Sequence, residues 1–204
     1  RRVSQLTRLR IAREPNHRAV TLLHHAVCSG RLETVQAILS LCTEYQFLQA
    51  LSASGGNLVH QAARSGNHAM IRFLLTFLPE QQHLRIVNMR DKDGKTVLQC
   101  AARSGNHECV ETVLALYPDS QYLQIVTMRD AEGKTLLHQA AQSGNSELLQ
   151  YLLNLWPESQ RLDAVSMQDE RGTTVLHRTA ISGNLNAVKT ILSLYHESQQ
   201  ATMI

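Results

Sequence analysis

Aromatic residues, proline and long hydrophobic runs are all scarce in this sequence, and each shortage excludes something. Only 4% of its 204 residues are Phe, Trp or Tyr, so Leu, Val, Ile and Ala must supply most of a core. The hydrophobic fraction of 43% is that of an ordinary globular chain. The most apolar stretches, such as Met70 to Leu78, run for nine residues and contain Arg72. A membrane helix needs about twenty apolar residues, so no membrane insertion is expected. The first residues do not read as a secretory signal, and because Arg1 rather than Met stands first, a fragment of a longer protein is expected. Cys28, Cys42, Cys100 and Cys109 occur singly, without CxxC or zinc-finger spacing. Cys100 and Cys109 fall in helix-like stretches, where a thiol packs as a small apolar group. Reduced cysteines in the cytoplasm or nucleus are therefore expected rather than a disulfide framework. There is no phosphate loop and no glycine-rich nucleotide fingerprint, and no cofactor is expected.

What the sequence has is a repeat. Ser-Gly recurs at Ser29, Ser65, Ser104, Ser143 and Ser182, at spacings of 36, 39, 39 and 39 residues. Eight residues before each Ser stands Thr21, Asn57, Thr96, Thr135 or Thr174, and three beyond that His24, His60, Gln99, His138 or His177. Small residues follow: Ala26, Ala62-Ala63, Ala101-Ala102, Ala140-Ala141 and Ala180. Upstream, Asp91-x-x-Gly94, Asp130-x-x-Gly133 and Asp169-x-x-Gly172 are turn chemistry, in which Asp bonds to nearby backbone and Gly accepts positive φ. The hydroxyl before each apolar start predicts a helix N-cap. Ser-Gly predicts the helix stop. Asn67, Asn106, Asn145 and Asn184 predict the cap of a second helix. In the fourth unit that helix carries Leu148, Leu149, Leu152 and Leu153 at helical spacing. The paired alanines let the first helices pack closely.

On these residues the sequence resembles the ankyrin repeat family, whose Asp-x-x-Gly-x-Thr-Pro-Leu-His-x-Ala-Ala-x-x-Gly pattern is matched over residues 91–105, 130–144 and 169–183. The resemblance covers about residues 16 to 204 and implies an all-α helical solenoid with short turns between repeats. Leu22, Leu58, Val97, Leu136 and Val175 replace the family proline, and Gln99 replaces one histidine. The period is 39, against about 33 in the family. The added residues follow Pro79, Pro118 and Pro157, each with an acidic neighbour suited to a helix start. They predict an extra short helix per repeat, with Leu84, Leu123 and Leu162 as inward anchors. His196-Glu197-Ser198-Gln199 aligns with Pro157-Glu-Ser-Gln. The expected partition is a capping helix or repeat tail over 1–15 and repeats over 16–51, 52–90, 91–129, 130–168 and 169–204.

Catalysis and metal binding have little to stand on. Histidines one repeat apart sit about 8–10 Å apart in stacked helices, whereas zinc needs its nitrogens at about 2 Å. A histidine tying its turn to its helix start is the expected role. A Cys/His nucleophile pair built on Cys28 or Cys100 would need an oxyanion hole and a cleft. The pairs Glu108/Glu111 and Asp91/Asp93 read as surface charge and turn chemistry. No enzyme activity is expected of this segment.

Surface remains. In ankyrin proteins partners usually bind the concave face of turn tips and first helices. Those positions carry Arg90, Lys92, Lys95, Arg129 and Lys134 on turns, and His25, Gln61, Arg64, Cys100, Arg103, Gln139, Gln142 and Arg178 on helices. Arg64, Arg90, Lys92, Lys95, Arg103, Arg129, Lys134, Gln139, Gln142 and Arg178 are the expected partner contacts. Their basic stripe points to an acidic or phosphorylated protein segment. The net charge of +3 lies elsewhere: six arginines between Arg1 and Arg18, less Glu14, give +5, so the remainder sums to −2. Those arginines alternate with Val3, Leu6, Leu9 and Ile11, the pattern of an amphipathic helix over the array's open end, so nucleic acid is not an expected partner. The resemblance also implies an alternative, the targeting or scaffold region of a larger enzyme or of a bacterial host-directed effector.

Overall fold

The computed structural model of the chain describes residues 22–40, 47, 50 and 56–201, with side chains to 195. Among them are thirteen α-helices and no strand. The first helices of successive repeats are α1 (Leu22–Cys28), α3 (Leu58–Arg64), α6 (Val97–Ser104), α9 (Leu136–Ser143) and α12 (Val175–Ser182). The second helices are α2 (Leu32–Leu39), α4 (His68–Leu75), α7 (His107–Leu114), α10 (Ser146–Asn154) and α13 (Leu185–Ala201). The added helices are α5 (Glu80–Asn88), α8 (Tyr122–Val126) and α11 (Glu158–Ser166), with a single 3-10 turn, Asp119–Gln121, leading into α8. No helix among the described residues is long and apolar enough to cross a membrane. The expected leading segment 1–15, the arginines Arg1 to Arg18, Thr21, Cys42 and the boundary at 51–52 lie outside the described residues.

Local chemistry sets each helix end. Asn57 and Thr96 accept the backbone N–H three residues on, and Gln99 answers by accepting the Thr96 N–H at 3.0 Å, a reciprocal cap. Gly105 closes α6 at φ +77, in the left-handed region a side chain resists. Asn67, Asn106, Asn145 and Asn184 then cap the second helices, each accepting an N–H at 2.9–3.0 Å. The three prolines stand one residue before the added helices, as N-caps rather than in the first turn. Where His196 replaces proline, α13 runs on through the position in one continuous helix. Proline there would remove an N–H and clash with the preceding turn; histidine does neither.

The first helices bury their alanines almost completely: Ala62, Ala63, Ala101, Ala102, Ala140 and Ala141 are within one per cent of full burial. Leu74, Leu114, Leu148, Leu149 and Leu152 from the second helices complete one continuous core. The added helices are anchored by Ile86 and Val87, Ile125 and Val126, Ala164 and Val165. This corrects the expected anchors: Leu84 and Leu162 are half-buried and Leu123 is 40% exposed. The buried face lies two or three residues further on in all three added helices. In the fifth repeat, among the described residues, Ile181 and Leu185 are 71% and 63% exposed.

Candidate interaction surface

The turns are built around an aspartate whose side chain replaces backbone partners. Asp91 Oδ1 accepts the N–H groups of Asp93 and Lys95, Asp130 those of Glu132 and Lys134, and Asp169 those of Arg171 and Thr173, all at 2.9 Å. The second carboxylate oxygen meets the residue nine positions on, in the first helix. Cys100 donates its thiol to Asp91 at 3.7 Å, Gln139 its amide to Asp130 at 2.7 Å, and Arg178 pairs with Asp169. Burial works to raise the Asp169 carboxyl, but Arg178 and the turn N–H groups outweigh it and hold the group far below the usual carboxylate range.

Neighbouring turns are tied tip to tip. The Ala131 N–H donates to Asp93 O and the Glu170 N–H to Glu132 O, both at 3.0 Å. Arg90 spans two turns, donating to the carbonyls of Gly94 and Arg129 at 2.6 and 2.7 Å. Arg129 repeats this one unit on, to Gly133 and Gln168 at 3.1 and 2.8 Å. The repeat histidines add a third tie. The ring of His60 approaches Lys95 O at 3.0 Å, His138 approaches Thr173 O at 3.0 Å and His24 approaches Gly56 O at 3.3 Å. Gln99 makes the same reach, to Lys134 O at 3.2 Å. Burial pushes the pKa values of His24, His60 and His138 down, against hydrogen bonds that raise them. Among the described residues no group of three or more His, Cys, Asp and Glu side chains is placed to hold a metal ion.

Against this frame the ten expected contacts separate. Arg64 pairs with Asp91, whose side chain is fully buried. Lys95 and Lys134 are 7% and 6% exposed; Lys95 Nζ lies 3.4 Å from Asp93 and 3.8 Å from Asp130, and Lys134 Nζ 2.6 Å from Glu132. Arg178 and Gln139 are spent on turn aspartates, as above, and Arg90 and Arg129 on carbonyls, which leaves those two charges unneutralised. Lys92 and Arg103 are exposed, and neither has an ion pair among the described residues. Gln142 carries a buried carbonyl oxygen without a partner.

A cavity of about 390 Å³ opens between these groups, lined by Arg64, Lys95, Cys100, Arg103, Lys134 and Gln142. Asp93, Ser104 and Glu132 complete it, and were not among the expected contacts. Their signal was present: Asp93 and Glu132 are acidic residues 39 apart, each two before a lysine. The cavity can receive an anionic group at Arg103 while its paired carboxylates hold the lysines in place. A family model described as ankyrin repeats (3 copies) matches residues 23–125 and 120–202. No curated protein matches the chain by sequence.

Proposed function

Because the chain belongs to the ankyrin repeat family, we propose that it captures an acidic or phosphorylated protein segment on the concave face of its second to fourth repeats. Ankyrin repeats generally are protein–protein interaction modules, and solenoids offer extended concave surfaces for the purpose. The observation that carries the reading is the pair Lys92 and Arg103, both exposed and without carboxylate partners among the described residues, with Arg103 on the cavity lining. Arg90 and Arg129 add positive charge that turn carbonyls do not cancel. The module has no chemistry of its own in this reading, and the free thiols of Cys28, Cys100 and Cys109 suit a reducing compartment.

The test is affinity capture from lysate with the chain and with a Lys92→Glu/Arg103→Glu double variant. Both substitutions are on exposed side chains, so the fold is expected to persist. Loss of the captured partner in the variant, with salt-sensitive capture by the parent chain, is the expected result. Equal capture by the two proteins would remove these residues from the interface.

A further inference from the structure

A second depression shares no lining residue with the concave cavity. It lies where α4 and α5 of the second repeat meet the end of α7 in the third. Leu75, Leu78 and Leu116 give it apolar walls, and Arg72, His83 and Thr112 line it as well. Its volume is about 570 Å³, within the range of roughly 300–1,000 Å³ over which proteins hold small ligands and anchoring groups.

The slot exists because two residues are small or turned aside. One repeat on, the positions of His83 and Thr112 are taken by Tyr122 and Tyr151. There both tyrosines are half-buried. The His107 ring meets Tyr151 edge-on, with ring centroids 4.4 Å apart. Burial raises the Tyr151 phenol, and the charges of Glu111 and Tyr122 raise it further. At Tyr151 an aromatic ring thus packs against the preceding second helix, at the position that Thr112 holds on the slot. Between the second and third repeats a threonine stands in for one ring. The His83 imidazole is directed to the carbonyls of Leu75 and Leu78, both at 3.0 Å.

Two further observations mark the slot as unfinished. Thr112 is only 8% exposed, yet its buried hydroxyl has no hydrogen-bond partner, a state folded proteins rarely leave unanswered. Arg72 is exposed and, among the described residues, has no ion pair; its counterpart in the filled interface is Glu111. Glu80, also on the slot, sits in the first turn of α5, where the helix dipole offsets its charge. Arg72 is the cationic side chain that the slot offers to a carboxylate.

We propose that this slot is a second binding site, which takes the tyrosine side chain of an acidic peptide segment. The ring fills the space that Tyr151 fills one repeat later, and a carboxylate beside it pairs with Arg72. An aromatic anchor suits a pocket with apolar walls. Concave-face capture and tyrosine capture involve different residues and can occur together.

The experiment is an NMR titration of the ¹⁵N-labelled chain with the peptide acetyl-Asp-Glu-Tyr-Glu-Leu-amide. The amide signals of Leu75, Thr112, Ala115 and Leu116 are expected to shift. The same peptide with alanine in place of tyrosine should bind about tenfold more weakly or worse, since burying an aromatic side chain is worth that factor. Thr112→Tyr supplies the missing ring from within, so it should abolish the shifts and raise the melting temperature. Should that variant fail to fold, Arg72→Glu on an exposed residue decides: it should weaken the acidic peptide and favour a lysine-flanked counterpart. Shifts confined to Lys92 and Arg103, or unchanged binding by Thr112→Tyr or by Arg72→Glu, would overturn the proposal. The Lys92→Glu/Arg103→Glu double variant should bind the peptide as the parent does, so failure of the concave-face reading leaves this one standing.

Discussion

The Nε2 atom of His138 lies 3.0 Å from the carbonyl oxygen of Thr173, 35 residues along the chain. A carbonyl only accepts, so the ring proton sits on Nε2, and Nδ1 takes the Thr135 N–H and hydroxyl at 3.3 and 2.9 Å. One neutral ring thereby caps its own helix and hooks the next repeat. A second proton, on Nδ1, would face the Thr135 backbone N–H, which can only donate.

Stability should therefore fall on mild acidification. Burial lowers the folded pKa values of His24, His60 and His138 below their ordinary 6.5, so the unfolded chain takes up protons first. The histidine contribution is complete above about pH 7 and is lost as pH falls from 6.5 through the folded values. Gln99 makes the same two contacts with an amide that does not titrate. His138→Gln is expected to keep most of the melting temperature at pH 7.5 and to lessen its decline towards pH 5, measured by calorimetry across that range.

Gly94 and Gly172 separate backbone strain from crowding. Both have positive φ, +71 and +72. A Cβ on Gly94 would come within 2.7 Å of the Ala131 nitrogen, whereas the nearest atom at Gly172 is a flexible side-chain oxygen at 4.0 Å. Gly172→Ala should cost about 1 kcal/mol for the left-handed conformation alone. Gly94→Ala should cost at least about 2 kcal/mol, because it also opens the tip-to-tip contact. Urea unfolding of the two variants reads the difference directly.

Arg64 and Arg103 occupy equivalent positions but should behave differently. Arg64→Ala removes the partner of a fully buried carboxylate and is expected to destabilise by about 1–3 kcal/mol. Arg103→Ala, on an exposed side chain, should stay within about 0.5 kcal/mol. Equal losses would show that Asp91 does not depend on Arg64.

Thiol labelling offers a check on burial. Cys100 and Cys109 are buried, and their thiols are pushed up to about 12, so few thiolates form at neutral pH. In a Cys42→Ser background only Cys28, which is exposed, should react with a disulfide reagent on mixing. The other two should react only on unfolding; three fast thiols in the native protein would contradict the packing.

Turns, caps and helix order were legible because each depends on residues a few positions apart, such as Thr96 with Gln99 or Asp130 with Lys134. What escaped was whatever depends on the next repeat. Lys95 looks like a free surface cation until stacking sets its amine between Asp93 and Asp130. Leu123 looks like an anchor until packing on the neighbouring helices turns Ile125 and Val126 inward in its place. The slot beside Thr112 is visible only when the repeats are overlaid and Tyr151 is seen in its place.

The exposure of the fifth repeat, among the described residues, gives this 204-residue chain a direction in which to melt. Leu137, Ala141, Leu149 and Leu153 are buried in the fourth repeat, while their successors Leu176, Ala180, Val188 and Leu192 are all partly or fully exposed. Gly183 has nothing within 4 Å of its missing side chain, where Gly105 touches the following repeat's Ser143 and Asn145. In a repeat stack, layers with fewer buried contacts open first. Amide hydrogens of α12 should therefore exchange before those of α6 or α9, with the front receding one layer at a time towards the centre.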